Sequence, residues 1–302
     1  MTLRVLDSGL HTLVVDFGRP GARSLGVPVG GAADRFALAV GNALVGNTPS
    51  AAALEISLVG PTLQAGCELA CVVYGAPFTL SSDRQKLKAG TTFTLGPGEM
   101  LRIGSTGEGM RAYLCVRGGI QAKNLLGSRS ALQPVAADAE LHCLSGSIHP
   151  RFVRTDWTWN RAPKTLRTLD GLQASWFDLE ELHSQEFVVT PASNRMGLRL
   201  DGKPLRLSQR ELLSEPVCPG SVQVTRDGQC IILGVDGQTI GGYPKVAQVI
   251  TADLDKLGQL RPGDRIRFTR VNLEEAEAIY RQKQAELRQW LTRLRTTLDH
   301  VT

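Results

Sequence analysis

Three short stretches hold most of the side chains here that could bind or transform a small molecule. The first is Asp16-Phe17-Gly18-Arg19-Pro20-Gly21-Ala22-Arg23 with Val29-Gly30-Gly31-Ala32-Ala33-Asp34. Gly30 and Gly31 let a backbone approach a ligand closely, and they precede a helix start, where free N–H groups favour an anion. Arg19 and Arg23 add guanidiniums able to grip a carboxylate or phosphate with two bonds. The plainer reading is a glycine turn with Asp34 as a helix cap. The spacing matches neither a P-loop nor a dinucleotide loop.

The second stretch is Ser193-Asn194-Arg195-Met196-Gly197-Leu198-Arg199-Leu200. If extended, it puts Arg195, Gly197 and Arg199 on one face, a glycine floor between two cations. Surface ion pairs with Glu186 or Asp201, worth about 0–1 kcal/mol each, account for the arginines equally well. The third is Asp236-Gly237-Gln238-Thr239-Ile240-Gly241-Gly242-Tyr243-Pro244-Lys245, lying between two apolar strands. It is long for a tight hairpin, and Gln238, Thr239, Tyr243 and Lys245 are competent to touch a ligand. His142 and His149 flank Cys143 but lack a third ligand at zinc spacing, and no G-x-S-x-G elbow occurs. We therefore expect no metal.

The elements that must position these loops are mainly strands. Thirty-two glycines and fifteen prolines separate short apolar runs in a chain of 302 residues, 42% hydrophobic and 21% charged. That density of turns favours an all-β architecture, and the length suits two domains or one large one. LHTLVVDF, LEISLV, ELACVVY, TTFTL, EMLRIG and RAYLCV read as strands of a first barrel or sandwich. A helix over 35–45 starts at Asp34 and closes at Gly46-Asn47. A basic stretch from Arg151 to Arg167 reads as a linker, and EFVVT, GLRLDG, SVQVT, CIILGV, KVAQVI and DRIRF form a second β series. Asn272 and Glu275 make a capping box for a last helix over 273–299. Its apolar stripe runs from Leu273 to Leu298 over about 40 Å at 1.5 Å per residue. Its end, beyond residue 285, is expected to meet a second subunit.

Thirty-four basic against 29 acidic residues give +5, scattered and without a recognition module, so no nucleic-acid partner is expected. The six cysteines form no C-x-x-C pair, the first residues carry no signal-peptide core, and no apolar run suits a membrane helix. A soluble, cytoplasmic, reduced protein is the expectation.

At the same three stretches the chain resembles the allophanate hydrolase subunit 2 family, with its KipA-type proteins, 5-oxoprolinase C subunits and urea carboxylase carboxyltransferase domains. The family's D-x-G-R-x-G falls on Asp16 to Gly21 and its G-V-P-x-S-G-A-x-D on Gly26 to Asp34. Leu44 to Asn47, Ala53 to Glu55, Arg111 to Leu114, Gly118 to Ile120 and Gly127 to Ser130 fit further motifs. So do Ser193 to Leu200, Gly220 to Val224, and Gln238 to Pro244, from about residue 3 to about 278 in order. The chain departs from the pattern at Val15, Gly30, Ala131, Asp170-Gly171-Leu172, Thr225 and Ile240, where several polar groups of the family are missing.

The resemblance implies two cyclophilin-like β-barrel domains, 1–155 with the short helix and 165–302 with the long one. It implies a subunit of an ATP-dependent amide-processing hydrolase, first of all the C subunit of 5-oxoprolinase, beside a KipI-type partner and a LamB-type hydrolase. ATP would enter through the complex. The alternatives are a biotin-dependent carboxyltransferase component, its biotin carried by a partner, and a non-catalytic regulator that binds a KipI-type kinase inhibitor. With the residue chemistry, it makes Asp34 and Arg195 the catalytic candidates. Asp16, Arg19, Gly30, Gly31, Asn194, Arg199, Gln238, Thr239, Gly242, Tyr243 and Lys245 are the candidates for substrate or anion binding.

Overall fold

A computed structural model describes residues 2–153, 164–206 and 212–299, and side chains to residue 296. Two compact units emerge: Met1–Gly18 with Asp34–Trp159 and Glu286–Thr302, and Arg19–Ala33 with Asn160–Ala285. The first glycine-rich loop thus counts with the second unit.

In the first unit the barrel-or-sandwich pattern becomes two five-stranded antiparallel sheets. One runs β10 (Glu140–His142), β1 (Thr2–Asp7), β4 (Thr62–Ala65), β8 (Met100–Ile103), β6 (Leu80–Ser82). The other runs β2 (Thr12–Val15), β3 (Ala53–Ser57), β9 (Arg111–Val116), β5 (Leu69–Gly75), β7 (Phe93–Leu95). Leu3, Leu54, Leu63, Val73, Leu101 and Leu114 are buried in one core cluster drawn from both sheets, as alternating strands require. Helix α1 (Arg35–Leu44) packs on β5 and β9 through small residues. Gly41 is needed there, because a Cβ would sit 2.9 Å from the Cys115 sulfur.

The second unit is a closed barrel. Its order is β11 (Lys164–Asp170), β18 (Lys245–Val249), β15 (Ser221–Val224), β16 (Cys230–Leu233), β13 (Gly197–Asp201), β12 (Phe187–Val189), β19 (Arg265–Arg270). All pairs are antiparallel except β11 with β19, which close the ring in parallel. Val189, Leu200, Val222, Ile232, Ile266 and Phe268 fill it, with Phe187 edge-on to Phe268 at 5.4 Å between ring centres. A two-stranded ribbon, β14 (Glu215–Pro216) with β17 (Ile240–Gly241), stands outside the ring. Helices α2 (Leu179–Ser184) and α3 (Leu254–Leu257) are short.

The last helix, α4, spans Leu273–Asp299, and the expected capping box is present: Glu275 N–H donates to Asn272 Oδ1, and Asn272 N–H to Glu275 Oε2, both at 2.9 Å. Ala276 and Ile279 pack on Ile250, Ala252 and Leu169 in the second unit. Leu294, expected at an interface with another chain, is already buried in the first unit, and its carbonyl accepts from Arg151 at 2.6 Å. The basic stretch from Arg151 to Arg167 is not all linker. Residues 154–163 lie outside the described ones, but Lys164 to Arg167 open β11, where Arg167 grips the buried Asp253.

All six cysteines are free, and burial pushes the thiols of Cys143 and Cys230 up to about 12, so both are inert at neutral pH. Among the described residues no helix is long and apolar enough to cross a membrane.

Candidate functional site

The motif residues divide between the two units. In the first, the Asp16 carboxylate is a structural pin. It accepts from Ser128 Oγ at 2.5 Å, Ser130 Oγ at 2.7 Å, Arg129 N at 2.6 Å and Gly18 N at 2.8 Å. Burial by itself would raise its pKa, but these four donors together hold it below the ordinary 3.8. Its contribution to stability is therefore full above pH 3.8 and fades as pH falls below that. Asp16→Asn should cost about 1.5–3 kcal/mol at pH 7, the usual worth of hydrogen bonds to a charged group. Urea unfolding at pH 7 and again near pH 3 checks this: the gap between the two proteins should close in acid, and a gap equal at both would refute it.

Asp34 is the N-cap of α1, fully buried, its carboxylate accepting from Ala37 N at 2.9 Å. Its own N–H donates to Tyr113 Oη at 2.8 Å, and Tyr113 donates to Glu55 Oε2 at 2.8 Å. Arg111 Nε stands 3.2 Å from Glu55 Oε1, an ion pair rather than a well-directed hydrogen bond. Burial, then the carboxylates of Glu55 and Asp34, push the Tyr113 phenol well above its ordinary value, so it remains a neutral donor.

The second unit gathers the other candidates. Gly30 and Gly31 have φ of +61° and +76°, the left-handed region that glycine enters without strain. Gly30 N–H donates to Val235 O at 2.8 Å, and a Cβ on Gly30 would meet the guanidinium of buried Arg19 at 3.5 Å and Asp236 Oδ1 at 3.8 Å. Arg195 locks the turn. It reaches Asp236 through Nε at 2.6 Å and Nη2 at 3.0 Å, and Gly31 O through Nη2 at 2.7 Å. Its partner is thus Asp236, while Glu186 pairs with Arg265 and Arg267.

Arg195 and Arg199 have separate surroundings. Arg199 is exposed on β13 and lines a cavity of about 300 Å³ with Thr190, Asp201, Thr225, Asp227 and Gln229. Asn194 shapes the turn before β13, its Oδ1 accepting from Met196 N at 2.8 Å.

The loop from Asp236 to Lys245 supplies β17 of the ribbon and ends on the first residue of β18. Lys245, 6% exposed, sends Nζ to Glu215 Oε1 at 2.6 Å and to Pro216 O at 3.2 Å. Gln173 braces both partners: its Nε2 donates to Glu215 Oε1 at 2.8 Å, and its Oε1 accepts from Lys245 N at 3.0 Å. Gln223 stands opposite Lys245 on β15, and its Nε2 donates to Tyr243 O at 3.3 Å. A Cβ on Gly241 would lie 2.6 Å from Gln238 Nε2 and 2.8 Å from Gln223 Nε2. The ends of two carboxamides therefore meet beside this glycine. Thr239 is 9% exposed and its carbonyl accepts from Val217 N, Gly242 passes Ser214 Oγ, and the Tyr243 ring is 40% exposed.

What this arrangement can do follows from which donors are still free. At the glycine turn the Gly30 N–H and Arg195 are both committed, to Val235 and to Asp236 with Gly31. A backbone amide and a cation that are both already paired do not make a nucleotide cradle. ATP does not fit this chain's own turn. The loop around Gly241 differs: the carboxamides of Gln238 and Gln223 meet beside it, and Glu215, its partner across the ribbon, holds the Lys245 ammonium, the equipment for a polar planar ligand.

Residues 25–270 match the family described as carboxyltransferase domain, subdomain A and B. The chain belongs to that family. Members similar to it include the C subunit of 5-oxoprolinase from Haemophilus influenzae, 36% identical over 94% of this chain and 96% of that one. The protein of the same name from Escherichia coli is 34% identical over 97% and 98%. Among solved structures, the Kluyveromyces lactis urea carboxylase superposes with a TM-score of 0.86 at 26% identity. It covers 96% of this chain, which spans 29% of that much longer one.

Within this carboxyltransferase-domain chain, reading the sequence residue by residue misses Gln173, Glu215 and Gln223. Gln223 left a signal: it is a polar side chain between Val222 and Val224, inside the stretch Gly220 to Val224 that fits a family motif. Glu215 and Gln173 left none, since their partner Lys245 is far away in sequence.

Proposed function

We propose that this chain is the C subunit of a 5-oxoprolinase, an ATP-dependent hydrolase of a small lactam, and that it works with a KipI-type subunit and a LamB-type hydrolase. The observation that carries the reading is identity above one third along nearly the whole length of two proteins bearing that name. The loop around Gly241 would hold the lactam, and the turn locked by Arg195 would form the wall beside it, since Val217 bonds both Arg23 and Thr239. The nucleotide would be held by a partner. A second reading, carboxyl transfer from a biotin borne by another protein of the complex, draws on the likeness to urea carboxylase.

Co-expression with the partner subunits tests the first reading. The complex should release glutamate from 5-oxoproline in an ATP-dependent manner, and the purified chain should release none. Turnover by the single chain, or none by the full complex, would overturn it. Carboxylation of urea in the presence of a biotin carrier would support the second reading instead.

A further inference from the structure

Gln223 stands on the face of β15 turned away from the barrel core, which Val222 and Val224 fill, yet it is only 1% exposed. Burying a carboxamide is costly unless its groups are bonded. Nε2 has a weak bond to Tyr243 O, and Oε1 has no partner among the described residues. Directly across the β15–β18 pair is Lys245, so the two side chains share a face. Its ammonium has three protons, and two are taken, by Glu215 and Pro216.

Glu215 Oε1 receives both Lys245 and Gln173, while Oε2 is free among the described residues. Gln238 brings a second carboxamide to Gly241 with no described bond of its own. The Gln223 oxygen, one Lys245 ammonium proton and the Gln238 carboxamide thus remain unspent among the described residues.

We infer that Gln223 is a substrate-recognising residue of this site, and that Glu215 and Gln173 are positioning residues that hold the Lys245 ammonium beside it. The Gln223 oxygen accepts the N–H of a planar amide, and Lys245, aided by Gln238, donates to its carbonyl. Glu215 balances the ammonium, so the pocket takes a neutral amide group rather than gathering any anion. The choice of amide rests on the proposed function; the choice of residues rests on the contacts.

The test is calorimetric binding of 5-oxoproline, 2-pyrrolidinone and urea to the chain assembled with its partners. Wild type should bind at least one of the three, and Gln223→Leu, of similar volume, should weaken that binding about tenfold or more, as loss of a buried polar partner does. If Gln223→Leu does not fold, Gln223→Met, which also lacks the oxygen acceptor, takes its place and is judged by the same loss. Glu215→Gln removes the counter-charge and should raise the affinity ratio of anionic 5-oxoproline over neutral 2-pyrrolidinone several-fold. A merely structural lesion would weaken both ligands alike, and an unchanged ratio would sink the positioning role. No amide binding by wild type, or equal binding by the Gln223 variant, overturns the recognition role. Amide binding without turnover would sink the proposed function and leave this inference standing; turnover with an unaltered Gln223→Leu protein would do the reverse.

Discussion

Glu55→Ala should lose about 3–5 kcal/mol of stability, because it strands a buried cation. Arg111 is 3% exposed and Glu55 fully buried, so neither can turn to water when its partner goes. Tyr113 would also lose the acceptor of its hydroxyl, and that hydroxyl holds the N–H of Asp34 at the start of α1. At about 2–4 °C per kcal/mol for a unit of this size, a fall in Tm of roughly 6–20 °C is expected by calorimetry. Replacing Glu55 and Arg111 together by Met should recover much of the loss, since a buried pair exchanged for apolar volume is often neutral. A single variant that melts within a degree or two of wild type would show that the network adds nothing.

The second large effect is expected at Arg195. With it go two bonds to Asp236 and the bond to Gly31 O. Charged hydrogen bonds are worth about 1.5–3 kcal/mol each net of solvent, but Asp236 is partly exposed and recovers water. The stability cost should therefore be small beside the functional one. In the assembled complex, turnover by Arg195→Ala should drop about a hundredfold, or roughly 2.7 kcal/mol of barrier, because the glycine turn is no longer fixed. Lysine should not restore it, since an ammonium cannot span both Asp236 oxygens and a carbonyl. Arg199→Ala, exposed and on another cavity, should stay within about twofold, the range of an isolated surface charge. Equal losses at the two arginines would mean that they act together after all.

How legible the molecule was follows the range of the interactions. Helix α4 runs over Leu273–Asp299 as the capping box and the apolar period predict, and α1 begins at Arg35 behind the Asp34 cap. Caps and periods are written within a few adjacent residues. The strands were legible one by one, but the split into two sheets and one ring was not, because closure depends on which edges meet. The site was half legible. Gly30, Gly31, Arg195 and Lys245 stand out by type and motif. The pairing of these cations with Asp236 and Glu215 does not, because nothing near Arg195 or Lys245 in the chain names its partner. Asp16, named as a binding candidate, accepts from Ser128, Ser130 and two backbone amides, and of these donors only Gly18 is near it in the chain.

The parallel seam of the barrel has a consequence for how this protein is made. β11 pairs in register with β19, Lys164 with Ile266 through Thr168 with Arg270, so the first strand of the ring is completed only by the last. A chain emerging from the ribosome exposes an open edge on β11 throughout the synthesis of the intervening strands. The Gly30 turn, made earlier still, waits for Val235 and Arg195 before it has anything to hold it. Open edges and late, distant contacts are the conditions for slow folding and for pairing with the wrong chain. The hazard therefore lies in nascent chains, and a stop codon anywhere before β19 should yield aggregate rather than a smaller working barrel.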